Sequence, residues 1–302
     1  SGRAAGKRGG RPVVTYGELY LQTRACLLTT EPPESAGPMA RDLVSTLSGM
    51  TQETFLAEKN SPVSEEVCLR VDQALTRLRQ GEPLPYVLGE WNFYGLPLYV
   101  TPQVLIPRDD TCALAELAIH RALFLDQDPR ILDLCCGSGC IGLAIASRLK
   151  DARVTLGDLS QDALSVARKN IQRNHMGGRV SCVQLDATEA PPAFLGKFDM
   201  IVSNPPYVTA GEMEELPKSV KDYEPHMALY GGPDGLDFYR SITERYRSVL
   251  KPGGFLCYEF GMGQGDAVCA ILEEKGFTVL ERTRDYNDRE RAVLAQYGRK
   301  ER

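Results

Sequence analysis

The chain has 302 residues, 43% hydrophobic and 25% charged, a composition that buries a full core and excludes wholesale disorder or a fibrous repeat. Its length suits about two domains, and no apolar run reaches the roughly 18–20 residues that a membrane-spanning helix needs. Thirty-five basic against 40 acidic residues give a net charge of −5, a balance that disfavours tight binding along a phosphate backbone. Residues 1–12 hold Arg3, Lys7, Arg8 and Arg11 without an acid, a local +4 that leaves −9 on the remainder. Residues 1–14 are therefore read as a flexible basic tail with no secretion-signal core. Nine cysteines follow neither a disulfide framework nor a paired Cys-x-x-Cys zinc spacing. The expectation is a reducing, cytoplasmic setting with no metal and no membrane.

Residues 15–84 carry helical periodicity and predict a small helical domain. Thr15 and Glu18 form a capping box ahead of Tyr16, Leu19, Tyr20, Cys26 and Leu27, which return to one face. Pro32-Pro33 and Gly37-Pro38 are expected to break the chain before a helix over Met39–Leu47. Ser61-Pro62 are expected to open another, whose Val67, Val71, Leu75 and Leu78 stripe ends before Gly81. Residues 85–110 crowd aromatic and branched side chains, Trp91, Phe93, Tyr94 and Tyr99 among them, around Gly89 and Gly95, which reads as a hairpin linking two domains.

Over residues 111–302 the pattern alternates. Strands are expected at 130–135, 153–158, 179–185, 198–203, 254–260 and 277–281, with helices near 112–124, 140–149, 161–174, 236–250 and 264–275. This predicts an α/β domain with a parallel sheet covered on both faces, its ligand beyond the carboxyl ends of the strands. Residues 277–297 are expected to add an antiparallel edge hairpin.

Two clusters carry chemistry. In the first, an apolar strand runs into Asp133-Leu134-Cys135-Cys136-Gly137-Ser138-Gly139, a turn in which backbone can approach a ligand closely. Alone, such a turn also serves simple strand–helix packing. About 20 residues on, the next strand ends at Asp158, where a carboxylate can accept both ribose hydroxyls. A third strand ends at Asp186, placed to accept a bond from an exocyclic amine; each aspartate taken singly also reads as a cap. No phosphate-binding lysine loop accompanies them, so a nucleoside ligand without pyrophosphate is favoured, and S-adenosylmethionine fits.

The second cluster follows the fourth strand as Asn204-Pro205-Pro206-Tyr207. Two prolines remove two backbone donors and stiffen the turn, leaving oxygens free to accept. The Asn204 side-chain oxygen and the Pro205 carbonyl can each take one proton of a planar NH2 group, with the Tyr207 ring against its face. Drawing on both N–H bonds returns electron density to a delocalised, weakly nucleophilic nitrogen and aims it.

Together these segments resemble the class I, S-adenosylmethionine-dependent amino-methyltransferases, and within them the peptide chain release factor glutamine N5-methyltransferases, the HemK or PrmC family. The resemblance runs from about Thr15 to Tyr297. It includes Leu88 through Gly95, Leu105-Ile106-Pro107-Arg108, Tyr223-Glu224-Pro225 and Asp285 through Arg291. It implies a Rossmann-like methyltransferase fold behind a helical substrate-docking domain. It implies methyl transfer to the glutamine of the Gly-Gly-Gln loop of release factors, with S-adenosylhomocysteine as product. By position, Cys135, Cys136, Gly137, Ser138 and Gly139 wrap the donor's methionine portion, Asp158 binds ribose, and Asp186 with Ala187 borders adenine. Asn204 lies between donor and acceptor, and Asn204, Pro205, Pro206 and Tyr207 hold the amide.

Two positions depart from the family pattern. Cys135 stands where a glycine is usual, which calls for an ordinary backbone conformation there or a shifted pocket wall. Cys112 stands where a glutamate is usual. The rival enzyme reading is methylation of adenine N6 in DNA or RNA, since the same tetrapeptide suits that planar amine. It calls for a basic groove and an added recognition domain, and the sequence offers neither. A non-catalytic nucleoside-binding module is the third reading, opposed by the intact tetrapeptide. His120, His175 and His226 share no spacing and receive no role; Glu259 and Arg108 are read as structural.

Overall fold

The computed structural model describes residues 12–298, so the expected basic tail lies outside the described residues except for its last three. The chain divides into two compact units between Leu88 and Gly89. The first holds five helices: α1 (Tyr16–Leu27), α2 (Pro33–Leu47), α3 (Gln52–Ala57), α4 (Glu65–Arg79) and α5 (Leu84–Leu88). The Thr15–Glu18 capping box is present in both directions. Leu19, Leu27, Ala40, Leu43, Val44, Phe55, Val71 and Leu75 close the core of this unit.

Three expectations for this unit need correction. Helix α2 does not wait for Met39 but runs through Gly37 and Pro38. Pro38 is exposed, so water can satisfy the carbonyl its ring leaves unbonded, while Ala36, Gly37 and Ala40 bury the opposite side. Helix α4 opens at Ser64, which caps Val67, rather than at Ser61-Pro62. Ser61 lies in a bend instead, with Pro62 bridged to Thr15 and the Val63 N–H bonded to the Val14 carbonyl. The hairpin expected across residues 85–110 is shorter, because residues 84–88 form α5.

The second unit begins with that hairpin, β1 (Glu90–Phe93) and β2 (Leu96–Tyr99). Tyr94 and Gly95 both have positive φ, as a two-residue turn between right-twisted strands requires. Then follow α6 (Cys112–Ala122), β3 (Arg130–Leu134), α7 (Cys140–Arg148), β4 (Arg153–Asp158), α8 (Gln161–Arg173), β5 (Val180–Gln184) and β6 (Phe198–Ser203). Two short helices, α9 (Ala210–Glu215) and α10 (Lys218–Tyr223), precede α11 (Asp237–Arg245), β7 (Leu250–Glu259), α12 (Gly265–Glu274), β8 (Phe277–Arg284) and β9 (Glu290–Tyr297).

The sheet order is β5-β4-β3-β6-β7-β9-β8, parallel except for β9, which runs antiparallel between β7 and β8. The period of two along each strand sorts side chains to two cores. Ile131, Val154, Met200, Val202 and Cys257 pack with α6, α7 and α8. Leu132, Leu134, Ile201, Leu256 and Tyr258 pack with α11 and α12. Strand order reverses at β3, so the crevice beyond the ends of β3 and β6 is where such a sheet binds ligands. None of the described helices is long and apolar enough to cross a membrane.

Candidate active site

Register places the two chemical clusters side by side. Leu134 pairs with Ser203 on β6 and with Gly157 on β4, so the residues that follow each strand emerge together. The Ser203 hydroxyl donates to the Leu134 carbonyl at 2.6 Å, tying the two strand ends. The segments enclose a cavity of about 550 Å³. Cys135, Cys136, Gly137, Ser138, Asp158, Asp186, Ala187, Asn204 and Pro206 all line it. Gly139, Pro205 and Tyr207 do not: Gly139 caps α7 against Leu156, Pro205 is buried, and Tyr207 is half-buried.

The turn after β3 is held by carboxylates. Asp133, fully buried, accepts the Gly142 N–H at 2.9 Å and so pins α7 to β3; burial pushes its carboxyl up to about 7. Asp158 accepts the Gly137 N–H at 2.9 Å through one oxygen and the Ser160 N–H at 3.0 Å through the other. Burial raises its pKa against the pull of those bonds. One Asp186 oxygen accepts from the backbone and hydroxyl of Thr188, which leaves the other without a partner among the described residues.

Cys135 takes φ of 63°, the left-handed region, so its backbone does what a glycine there would do, and the ordinary conformation, one of the two alternatives expected, is not adopted. For a residue with a Cβ that geometry costs about 1–2 kcal/mol. Cys135→Gly is therefore expected to stabilise the protein by about 0.5–1 kcal/mol, the strain relieved less glycine's added chain entropy. Chemical denaturation checks this; an unchanged or lower midpoint contradicts it. Burial raises the thiols of Cys135, Cys136 and Cys140, so all three are neutral wall residues. Burial likewise pushes Cys112 up to about 11, so no charge stands where the family pattern has a glutamate.

At the reacting end, Asn204 Oδ1 is buried with no hydrogen-bond partner among the described residues, and the Ser138 hydroxyl is in the same condition. Buried polar atoms are ordinarily bonded, so two such atoms on one cavity wall mark a place built for a ligand. No described donor reaches the Pro205 carbonyl either. Arg108 and Glu224 fasten the rim: the guanidinium donates to both carboxylate oxygens at 2.8 and 2.6 Å, and Glu224 also accepts the Ile106 N–H.

Sequence reasoning gave no role to Asn170, Ser203 or Gln264, and met Glu224 only as part of the Tyr223-Glu224-Pro225 segment of the family resemblance. Asn170, on α8, accepts the Tyr99 N–H and donates to the Tyr99 and Ser138 carbonyls, joining the hairpin to the turn. Its signal was a polar residue within the apolar stripe of Ala163, Ala167 and Ile171, fully buried in the structure.

A family model described as the methyltransferase small domain matches residues 116–218, and a solved methyltransferase from Pyrococcus furiosus superposes with a TM-score of 0.52. That structure is 19% identical and covers 74% of this chain and 100% of its own. Fold and site together define a class I methyltransferase. The release factor glutamine methyltransferase of Clostridium acetobutylicum is 44% identical over 216 residues, 72% of this chain and 75% of that one. The Escherichia coli K12 protein of the same name is 36% identical over 275 residues, 91% and 97% of the two chains, and a PrmC N-terminal domain model matches residues 18–89. The chain belongs to the release factor glutamine methyltransferase family.

Proposed function

We propose that the protein methylates N5 of the glutamine side chain in the Gly-Gly-Gln loop of peptide chain release factors, with S-adenosylmethionine as donor, and so tunes translation termination in the cytoplasm. The observation that carries this is the buried, unpartnered Asn204 oxygen on the wall of the cavity beside the turn after β3. The residues present suit the donor: Asp158 and Asp186 offer carboxylates to ribose and adenine, Ala187 borders the base, and Cys135 through Ser138 form the wall for the amino-acid portion. The donor supplies an electrophilic methyl group on a sulfonium.

The chain's own part is positioning. Asn204 Oδ1 and the Pro205 carbonyl accept the two N–H bonds of the carboxamide, which turns its nitrogen toward the methyl carbon and raises its electron density. Pro205 and Pro206 keep that turn from rearranging. Tyr207 backs it, and its ring supports the planar group. The buried, mostly apolar wall excludes water, so charge disperses from the sulfonium in a site that would otherwise solvate it.

Mass spectrometry of a release factor incubated with enzyme and donor tests this. One methyl on the Gly-Gly-Gln glutamine is expected. An unmodified glutamine with methyl on the adenine amine of DNA or RNA would reverse the assignment.

A further inference from the structure

Behind the tetrapeptide lies a second polar assembly that the proposed chemistry leaves unused. Glu259, the last residue of β7, is 2% exposed. One of its oxygens faces the Tyr207 hydroxyl at 3.4 Å, and the other has no hydrogen-bond partner among the described residues. Tyr207 is gripped from two further directions. Gln264 donates to the Tyr207 carbonyl at 3.0 Å while accepting the Gly261 N–H at 2.8 Å. A Cβ on Gly261 would stand 2.9 Å from the Tyr207 ring, so the strand end passes the ring at a distance only glycine permits. A buried carboxyl is costly and persists where it fixes geometry that an apolar residue would leave loose. Two side-chain contacts and one close backbone approach from a single segment, all converging on one residue of the turn, supply that geometry.

We propose that Glu259 is a positioning residue for methyl transfer, holding the Tyr207 hydroxyl and through it the angle at which Asn204 and Pro205 present their oxygens. The proposal rests on the glutamine-methylation reading above and deepens it. Glu259 itself does not line the cavity. At 3.4 Å the pair stands at the long end of hydrogen-bond reach.

The group also reports on pH. Burial pushes Glu259 up to about 7, opposed by the Thr111 hydroxyl, the Arg291 guanidinium and the Tyr207 hydroxyl, with Asp110 adding to the rise. Asp285 and Asp110 in turn hold Arg291. A carboxyl with a raised folded pKa favours the fold below its unfolded value near 4.5, and that contribution is lost as pH rises through about 7. Glu259→Gln, neutral at every pH, is expected to gain stability relative to the parent between pH 5 and pH 8, read in urea titrations. A difference that does not change with pH contradicts the titration.

The test of positioning is a double-mutant cycle of Glu259→Leu and Tyr207→Phe, read as kcat and KM for release-factor methylation and as donor Kd. Each single change is expected to lower kcat about tenfold with donor Kd unchanged, and the pair to lower it no further. Glu259→Gln, which keeps a hydrogen-bonding oxygen, is expected to recover most of the rate. Losses that multiply in the pair, or a Gln variant as impaired as Leu, overturn the proposal while leaving glutamine methylation intact. A second readout needs no turnover: hydrogen exchange of the Tyr207, Val208 and Thr209 amides is expected to quicken in Glu259→Leu, with residues 131–139 unchanged. Equal protection in both segments refutes positioning even if the parent protein transfers nothing to a release factor.

Discussion

Asn204→Ala is expected to lower kcat/KM for glutamine methylation about 10²–10³-fold, the loss seen when one preorganised polar group is removed from a reacting centre. Its side-chain oxygen is the one buried acceptor on the cavity wall that nothing in the described chain satisfies apart from the Ser138 hydroxyl. Donor affinity should move by less than about threefold, because Asp158, Asp186 and the turn after β3 remain. Asn204→Leu restores most of the side-chain volume without the oxygen and should fail equally. Recovery of activity in Leu but not in Ala would show that filling space, not accepting N–H bonds, is what Asn204 does. Transfer of radiolabelled methyl gives the rate, and calorimetry gives donor binding.

The complementary result is expected at Asp158. Removing its carboxylate in Asp158→Ala deletes the acceptor for ribose and frees the Gly137 and Ser160 N–H groups it holds at 2.9 and 3.0 Å. Donor Kd should rise about 100-fold, roughly 3 kcal/mol. Unfolding stability should fall by about 1–3 kcal/mol for the two part-buried donors left without a partner. Asp158→Asn is no rescue: with one carbonyl oxygen for two N–H groups, its NH2 must confront one of them. Release-factor binding without donor should be unaffected. Equal losses of donor affinity in the Asp158 and Asn204 variants would refute the division of labour between the two clusters.

The strands of the large sheet were readable because each is a short apolar run bounded by glycine, proline or a charge. Those at 130–135, 153–158 and 198–203 emerged within a residue of their expected ends. The approach of Cys135–Gly139 to Asn204–Tyr207 was expected only through the family resemblance, since it depends on the pairing of Leu134 with Ser203, a register no local pattern encodes. Helices α9 and α10 escaped notice for a plainer reason: neither buries a residue, so no stripe exists to be read. The Gly37-Pro38 break was inferred from propensity alone, and tertiary burial of Ala36, Ala40 and Leu43 overrode it. Cys135 shows the same limit in the backbone: sequence marks the departure from glycine, but only coordinates show that the chain keeps the left-handed turn regardless.

Asn170 has a practical consequence for dissecting the molecule. Its single carboxamide links the Tyr99 backbone to the Ser138 carbonyl, and Arg173 on the same helix pairs with Glu90 at 3.0 Å. Excising everything ahead of residue 111 would strip Tyr99 and Glu90 and leave the Asn170 oxygen in the interior without its donor. The smallest autonomous catalytic fragment should accordingly start at or before Gly89, and a shorter truncation should express as an aggregate.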